Sequence, residues 1–212
     1  MTLLFLTPMI AEEFTKEFRW ELKKDKEGIQ VHTRKVQGWD TREFQGVTTV
    51  KTSLDSAIAL FEDTKKITQW MYRIKEFTML EEKDPGVIIF YFRQGLPWPI
   101  TDRDAVLTRT RKQDSATKAV SYTALMIPNG YPLKKGAVRM PYIRVLWLFT
   151  PKEDGTLVIY YRLLLDVGGR VPKWLANNQL NVDIPFHSLK KFRELLQRPE
   201  YQNAKVSSYR ER

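Results

Sequence analysis

Asp166-Val167-Gly168-Gly169-Arg170-Val171-Pro172-Lys173-Trp174-Leu175 marks where the pattern of this chain changes. Before it, apolar and polar residues alternate, the period of a strand with one covered face. After it, apolar residues recur at helical spacing. Paired glycines stop a strand, because they bring no side chain to the ladder and turn freely. Pro172 then suits the first turn of a helix, where a missing N–H costs nothing. A sheet closed by one terminal helix is an α+β arrangement.

Downstream, Leu175, Val182, Leu189 and Leu196 repeat every seven residues, with Phe186 and Phe192 on the same side. That is one continuous apolar stripe. It predicts a helix over about residues 172–198, roughly 40 Å long. Pro185 takes away the donor that would answer the carbonyl of Asn181, which predicts a kink. Lys190, Lys191, Arg193 and Arg198 fall on the outer face.

Upstream, strand signals run over 75–81, 87–93, 104–112, 118–127, 140–150 and 156–165. Asp84-Pro85-Gly86, Asp114-Ser115 and Glu153-Asp154-Gly155 supply the turns. Strand after strand with short turns predicts an antiparallel meander. Three earlier strands are expected at 20–24, 29–34 and 43–52, the first two joined by Lys26-Glu27-Gly28. Between the third and fourth the period lengthens. Leu54, Ala57, Ile58 and Phe61 lie at helical spacing behind Ser53, a good cap, and a second short helix carries Ile67 and Trp70-Met71. Ile88, Ile89, Phe90, Tyr91 and Phe92 are consecutive, so that strand is covered on both faces, by ordinary core or by a ligand.

The 212 residues contain no cysteine, which excludes disulfides, thiolate chemistry and cysteine-bound zinc. The formal net charge of +10 favours an acidic partner: an anionic lipid surface, nucleic acid or an acidic protein. A basic surface with no partner is the plainer reading. With no internal repeat or low-complexity linker, one domain is expected over 20–200, with a basic tail at 201–212. Residues 1–19 read equally as a truncated secretory signal or as an apolar lead-in to a short helix, because the positive segment of a signal is missing. Location is therefore left open. No other run approaches the length of a membrane-spanning helix.

From Trp20 to about Arg198 the chain resembles the START domain family, lipid-transfer proteins of the helix-grip superfamily. The resemblance rests on five pieces in family order. They are Trp20 with Lys24-Asp25; Gly28-Ile29-Gln30-Val31; Gln69-Trp70; Pro97-Trp98-Pro99 with Asp102-Arg103-Asp104; and the Asp166–Leu175 stretch. It implies a curved antiparallel sheet gripping the long C-terminal helix, two short helices inserted after the third strand, and a lipid-sized tunnel between sheet and helix. The implied ligand is one lipid, carried or presented without a cofactor, with transient contact to an anionic membrane surface. No nucleic acid and no metal are implied, and a monomer is expected. Exposing an acyl chain of about fifteen methylenes to water costs roughly 12 kcal/mol, so a carrier must enclose it.

The resemblance also nominates residues. In several members the position six after the arginine of the Arg-Asp pair is an arginine pointing into the cavity, here Arg109. A carboxylate pairs with it in the sterol-binding branch, and its position falls at or beside Arg93. Two guanidiniums facing one pocket would suit a phosphate or carboxylate head group; a one-residue slip in register would send either to solvent. Arg144 and Arg162, on consecutive strands, either reach the cavity or decorate the outer face. Tyr91, Tyr122 and Tyr161 offer hydroxyls, of which alternation turns about half inward. Trp98 either gates the mouth or is a stapled core residue; Trp70, Trp147 and Trp174 read as core, with Trp174 and Leu175 placed to close the far end of the tunnel. Val182, Phe186 and Leu189 of the stripe are expected to line the tunnel. Asp102, Arg103 and Asp104 read best as ion pairs and turn caps that fix a loop.

His32 and His187 are far apart and lack carboxylates at a ligand spacing, so structural roles suit both. There is no phosphate-cradling glycine loop and no nucleophile elbow. A lipid carrier without catalysis is thus the leading expectation. The alternative is a polyketide cyclase or aromatase of the same superfamily. A nucleic-acid binder is suggested by charge alone, without aromatic stacking motifs.

Overall fold

The structure is a computed structural model that describes residues 19–128, 131–169, 171, 175 and 180–206. Ten strands form one sheet: β1 (Glu21–Lys26), β2 (Ile29–Arg34), β3 (Glu43–Lys51), β4 (Ile74–Asp84), β5 (Val87–Gln94), β6 (Asp102–Gln113), β7 (Val120–Met126), β8 (Ala137–Arg139), β9 (Tyr142–Pro151) and β10 (Thr156–Asp166). Among the described residues four helices accompany them: α1 (Leu54–Glu62), α2 (Ile67–Trp70), α3 (Asn181–Leu196) and α4 (Pro199–Gln202).

The strand order is β1-β2-β3-β10-β9-β7-β6-β5-β4, antiparallel throughout, with β8 added parallel to β6. Glu27 and Gly28 both take positive φ in the first hairpin, as a tight turn between twisted strands requires. After β3 the chain leaves through α1 and α2 and re-enters at the far edge as β4. Ser53 caps α1, its Oγ accepting from the Ser56 N–H at 3.0 Å. The meander then returns strand by strand until β10 pairs with β3. β8 was not foreseen; it is a three-residue strand inside the expected loop before β9.

Helix α3 lies on β2 and β3 and beside α2. Its approach is set at Gly46: a Cβ there would stand 2.8 Å from Leu189 Cδ1 and 3.0 Å from Pro185 Cβ. Only a glycine lets the helix sit this low on β3. Pro185 lies in the second turn of the described helix, where its ring forms part of that contact. Leu175 is buried; the remainder of the expected helix before Leu180 lies outside the described residues. So do the N-terminal lead-in, apart from Arg19, and the last residues of the expected tail. Tyr201, at the start of that tail, is buried, and its hydroxyl donates to Asp63 at 2.9 Å.

Between helices and sheet sits an aromatic cluster. Phe61 lies 4.4 Å from Tyr122 and 5.4 Å from Trp147, ring centre to ring centre, and Trp70 lies 4.9 Å from Phe192. On the outer face, Glu43 is fully buried. It accepts from Arg34 Nε at 2.7 Å and from Arg162 Nε at 2.7 Å, and Trp20 covers both guanidiniums.

Candidate ligand cavity

Where α3 does not reach, the sheet faces a hollow. Its empty space, with the open mouth and the solvent in it included, is about 770 Å³. Strand parity decides which residues see it. On β5 these are Phe90, Phe92 and Gln94; on β6, Leu107 and Arg109; on β7, Tyr122 and Ala124. On β9 Ile143, Val145 and Trp147 face in, and on β10 Tyr161 and Leu163. Phe61, Ile67, Trp70 and Ile184 close the hollow from the helices. Met71, Tyr72, Ile74 and Phe77 line it from the α2–β4 loop and β4 while keeping some exposure, which puts the mouth on that side.

Arg109 is buried, with its guanidinium carbon 5.1 Å from the centre of the Tyr122 ring and 5.6 Å from that of Phe61. No aspartate or glutamate is among the described lining residues. The carboxylate nearest in the hydrogen-bond network, Glu62, accepts from the Tyr122 hydroxyl at 2.7 Å and from Arg111 at 3.0 Å. Tyr161 stacks on Trp147 at 4.1 Å, and burial pushes its hydroxyl well above the ordinary phenol range. Trp70 and Trp147 each hold a buried indole N–H without an acceptor among the described residues. This end of the hollow is rich in donors.

The structure brings only part of the nominated set together. Arg109, Tyr122 and Tyr161 line the hollow. Arg93 does not: it is on the other face of β5, where its Nε donates to Asp102 at 2.8 Å and its Nη2 to the Gly136 carbonyl. Tyr91 shares that face and packs with Ile89 and Val106 in a second small cluster; burial pushes its hydroxyl up to about 12. Arg144 sits between the inward-facing Ile143 and Val145 and so points away, and Arg162 is in the outer cluster with Glu43. The expected pair of guanidiniums is therefore one guanidinium.

Helix residues shift likewise. Leu189 is buried against Gly46, Phe186 is buried with Lys24 Nζ 3.8 Å from its ring centre, and Val182 packs on the core. None of the three lines the hollow; Ile184 does. Trp98 is 93 % exposed, neither core nor lining. Trp174 lies outside the described residues. Gln94, Phe77, Phe90 and Tyr72 were not anticipated; the period-two pattern of β5 held the signal for Gln94, masked because both faces of that strand are covered.

Below the mouth, Asp102, Arg103 and Asp104 hold three loops together. Asp102 accepts from Lys75 at 2.9 Å and from Arg93; burial opposes its ionisation, but these cations outweigh it and keep its carboxyl below the usual range. Arg103 donates to the carbonyls of Val167 at 2.6 Å, Gly168 at 2.9 Å and Thr101 at 2.6 Å. Asp104 accepts from Arg139 at 2.8 Å. At the mouth itself, the Tyr72 N–H donates to Ser188 Oγ at 3.0 Å, and the Tyr72 ring lies 4.7 Å from His187. That clasp joins α3 to the α2–β4 loop. Burial holds His187 and His32 below the ordinary imidazole value. No group of His, Asp and Glu able to hold a metal occurs among the described residues, and no described helix is long and apolar enough to cross a membrane.

The START domain family model matches residues 15–201. An uncharacterized protein of Pseudomonas aeruginosa is 31% identical over 174 residues, 82% of this chain and 85% of the relative. The phosphatidylcholine transfer protein of Rattus norvegicus is 25% identical over 164 residues, 74% of this chain and 75% of the relative. Among solved structures, a STAR-related lipid transfer protein fragment from Xanthomonas axonopodis is 33% identical, with a TM-score of 0.76 over 84% of this chain and 99% of the other. Human STARD10 shares the fold, with a TM-score of 0.77 at 19% identity over 91% of this chain and 79% of the other.

Proposed function

The chain belongs to the START domain family, and on that premise we propose that it binds one lipid in the hollow and carries or presents it unchanged. The names of the rat and Xanthomonas relatives support lipid transfer. Arg109 carries the finer reading. A buried guanidinium in a hollow whose described lining is mostly hydrocarbon and rings suits an anionic head group. The apolar lining suits an acyl chain, whose enclosure is worth roughly 0.8 kcal/mol per methylene.

Delivery requires a surface, and the loops support an anionic membrane. Trp98 is 93 % and Leu133 is 76 % exposed. Trp98 stands four residues before Asp102, and Leu133 four before Ala137, and Asp102 and Ala137 are register partners in the parallel β6–β8 pair. Two large apolar side chains thus precede one end of the pair, with Lys134 and Lys135 beside Leu133. Cations near an anionic surface contribute about 1 kcal/mol each.

The test is native mass spectrometry of the purified protein, then of Arg109→Leu. A co-purifying lipid with an acidic head is expected, with its affinity falling about 10- to 100-fold in the variant, as for a hydrogen bond to a charged group. Unchanged occupancy removes the head-group assignment. Trp98→Ala is expected to slow transfer between anionic vesicles and leave occupancy alone. A polyketide cyclase would need polar groups along its cavity; turnover of a polyketide thioester by an empty protein would reinstate that alternative.

A further inference from the structure

We infer that Gln94 is a ligand-recognising residue, so that the guest carries a second, neutral hydrogen-bonding group remote from the one that meets Arg109. This rests on the carrier reading and goes on to specify the class of lipid. Gln94 is the last residue of β5, facing the hollow beyond Phe92. It is 6% exposed, its carboxamide opens onto the hollow, and among the described residues it has no hydrogen-bond partner. A carboxamide offers two donors and an acceptor, and burying it without partners is costly. Leucine would close that wall with no such penalty.

The protein groups nearest in register are already engaged. Arg103, opposite Gln94 on β6, is spent on the carbonyls of Thr101, Val167 and Gly168. Ile74, its partner on β4, is apolar. Asp102 is held by Lys75 and Arg93. Among the described residues this leaves the contents of the hollow as the partner of the carboxamide.

Position then sets the spacing. Arg109 stands opposite Ile88, six residues along β5 from Gln94. Six residues of antiparallel strand span about 20 Å. The Arg109 end supplies donors and positive charge; the Gln94 end supplies a donor and an acceptor without charge. The complementary guest is an acyl-chain amphiphile with an anionic group at one end and a hydroxyl, ester or amide oxygen about 20 Å along its body.

The experiment compares palmitic acid with its ω-hydroxy derivative as probes, measuring Kd by calorimetry on the full chain and on Gln94→Leu. The wild-type protein is expected to bind the hydroxy acid roughly five- to tenfold more tightly, the ratio one neutral hydrogen bond supplies. Gln94→Leu is expected to bring the ratio to about one. Gln94→Met, closer in shape, gives the same readout should the leucine variant not fold. Equal affinity of the two acids for the wild type, or a preference that survives both substitutions, overturns the inference while palmitic acid binding leaves the carrier reading standing. Failure of both acids to bind the wild type removes both.

Discussion

Beneath α3, the β2–β3 side of the sheet is in close contact with the helix, whereas the β5–β6–β7 side faces a hollow. Both sides present large apolar residues, so size does not make the difference. The seat of the helix does. Gly46 admits Leu189 and Pro185 almost to the backbone of β3, and lowering the helix there leaves Phe90, Phe92 and Leu107 facing open space across from it. Room for a guest is created by a close contact made elsewhere.

The largest expected break is on the gripped side. Glu43→Ala would leave Arg34 and Arg162 buried under Trp20 without their carboxylate. Breaking a buried pair in this way costs about 3–5 kcal/mol, or roughly 6–20 °C of melting temperature for a chain of this size. Calorimetry showing a shift of only a degree or two would mean that the cluster contributes little to holding β2, β3 and β10.

Overpacking sharpens the contrast directly. Gly46→Val is expected to destabilise by about 1–3 kcal/mol, because the helix must lift. Ala124→Leu adds a similar bulk on the hollow side, where Ala124 lines open space. Its melting temperature should stay within about 2 °C of wild type, while lipid occupancy in native mass spectra falls. Equal destabilisation by the two substitutions would show that both sides are packed alike.

The smallest effect separates the sides by pH. His32 is on β2 and His187 on α3, and burial lowers both, more than Asp25 and Asp183 respectively offset. A depressed imidazole favours the neutral form in the fold. Its stabilisation is therefore present above the ordinary value near 6.5 and lost as pH falls through the folded value. Melting temperature should decline between pH 7 and pH 5, above the range where carboxylates such as Asp102 protonate, and His32→Gln with His187→Gln should flatten the profile. No histidine is among the described lining residues, so palmitic acid affinity of that double variant should match wild type at pH 7.

Much of the fold was legible because its turns and caps are local. Gly28, Ser53, Gly86 and Gly155 announce their turns and helix start within a few residues. The cavity was less so, because inward facing depends on register. Counting through the Pro97–Pro99 loop arrived at Arg93, one step from both Phe92 and Gln94, and one step on a strand is the opposite face. Alternation gave no correction there, since Ile89 and Tyr91 are as buried as Phe92. The helical stripe was correct as burial: Leu189, Phe192 and Leu196 are fully covered. What the stripe meets is a property of β3, and nothing in the heptad spacing encodes Gly46. Trp98 followed the same logic in reverse, an apolar side chain whose fate depends on what the tertiary structure places over it.

The Tyr72–Ser188 hydrogen bond has a bearing on timing. One neutral hydrogen bond contributes about 1 kcal/mol net, a factor of roughly five between fastened and unfastened populations. Burial of an acyl chain contributes an order of magnitude more. Retention of cargo would thus depend on the cargo itself, and the clasp would govern only how often the doorway is ajar when a surface arrives to receive it.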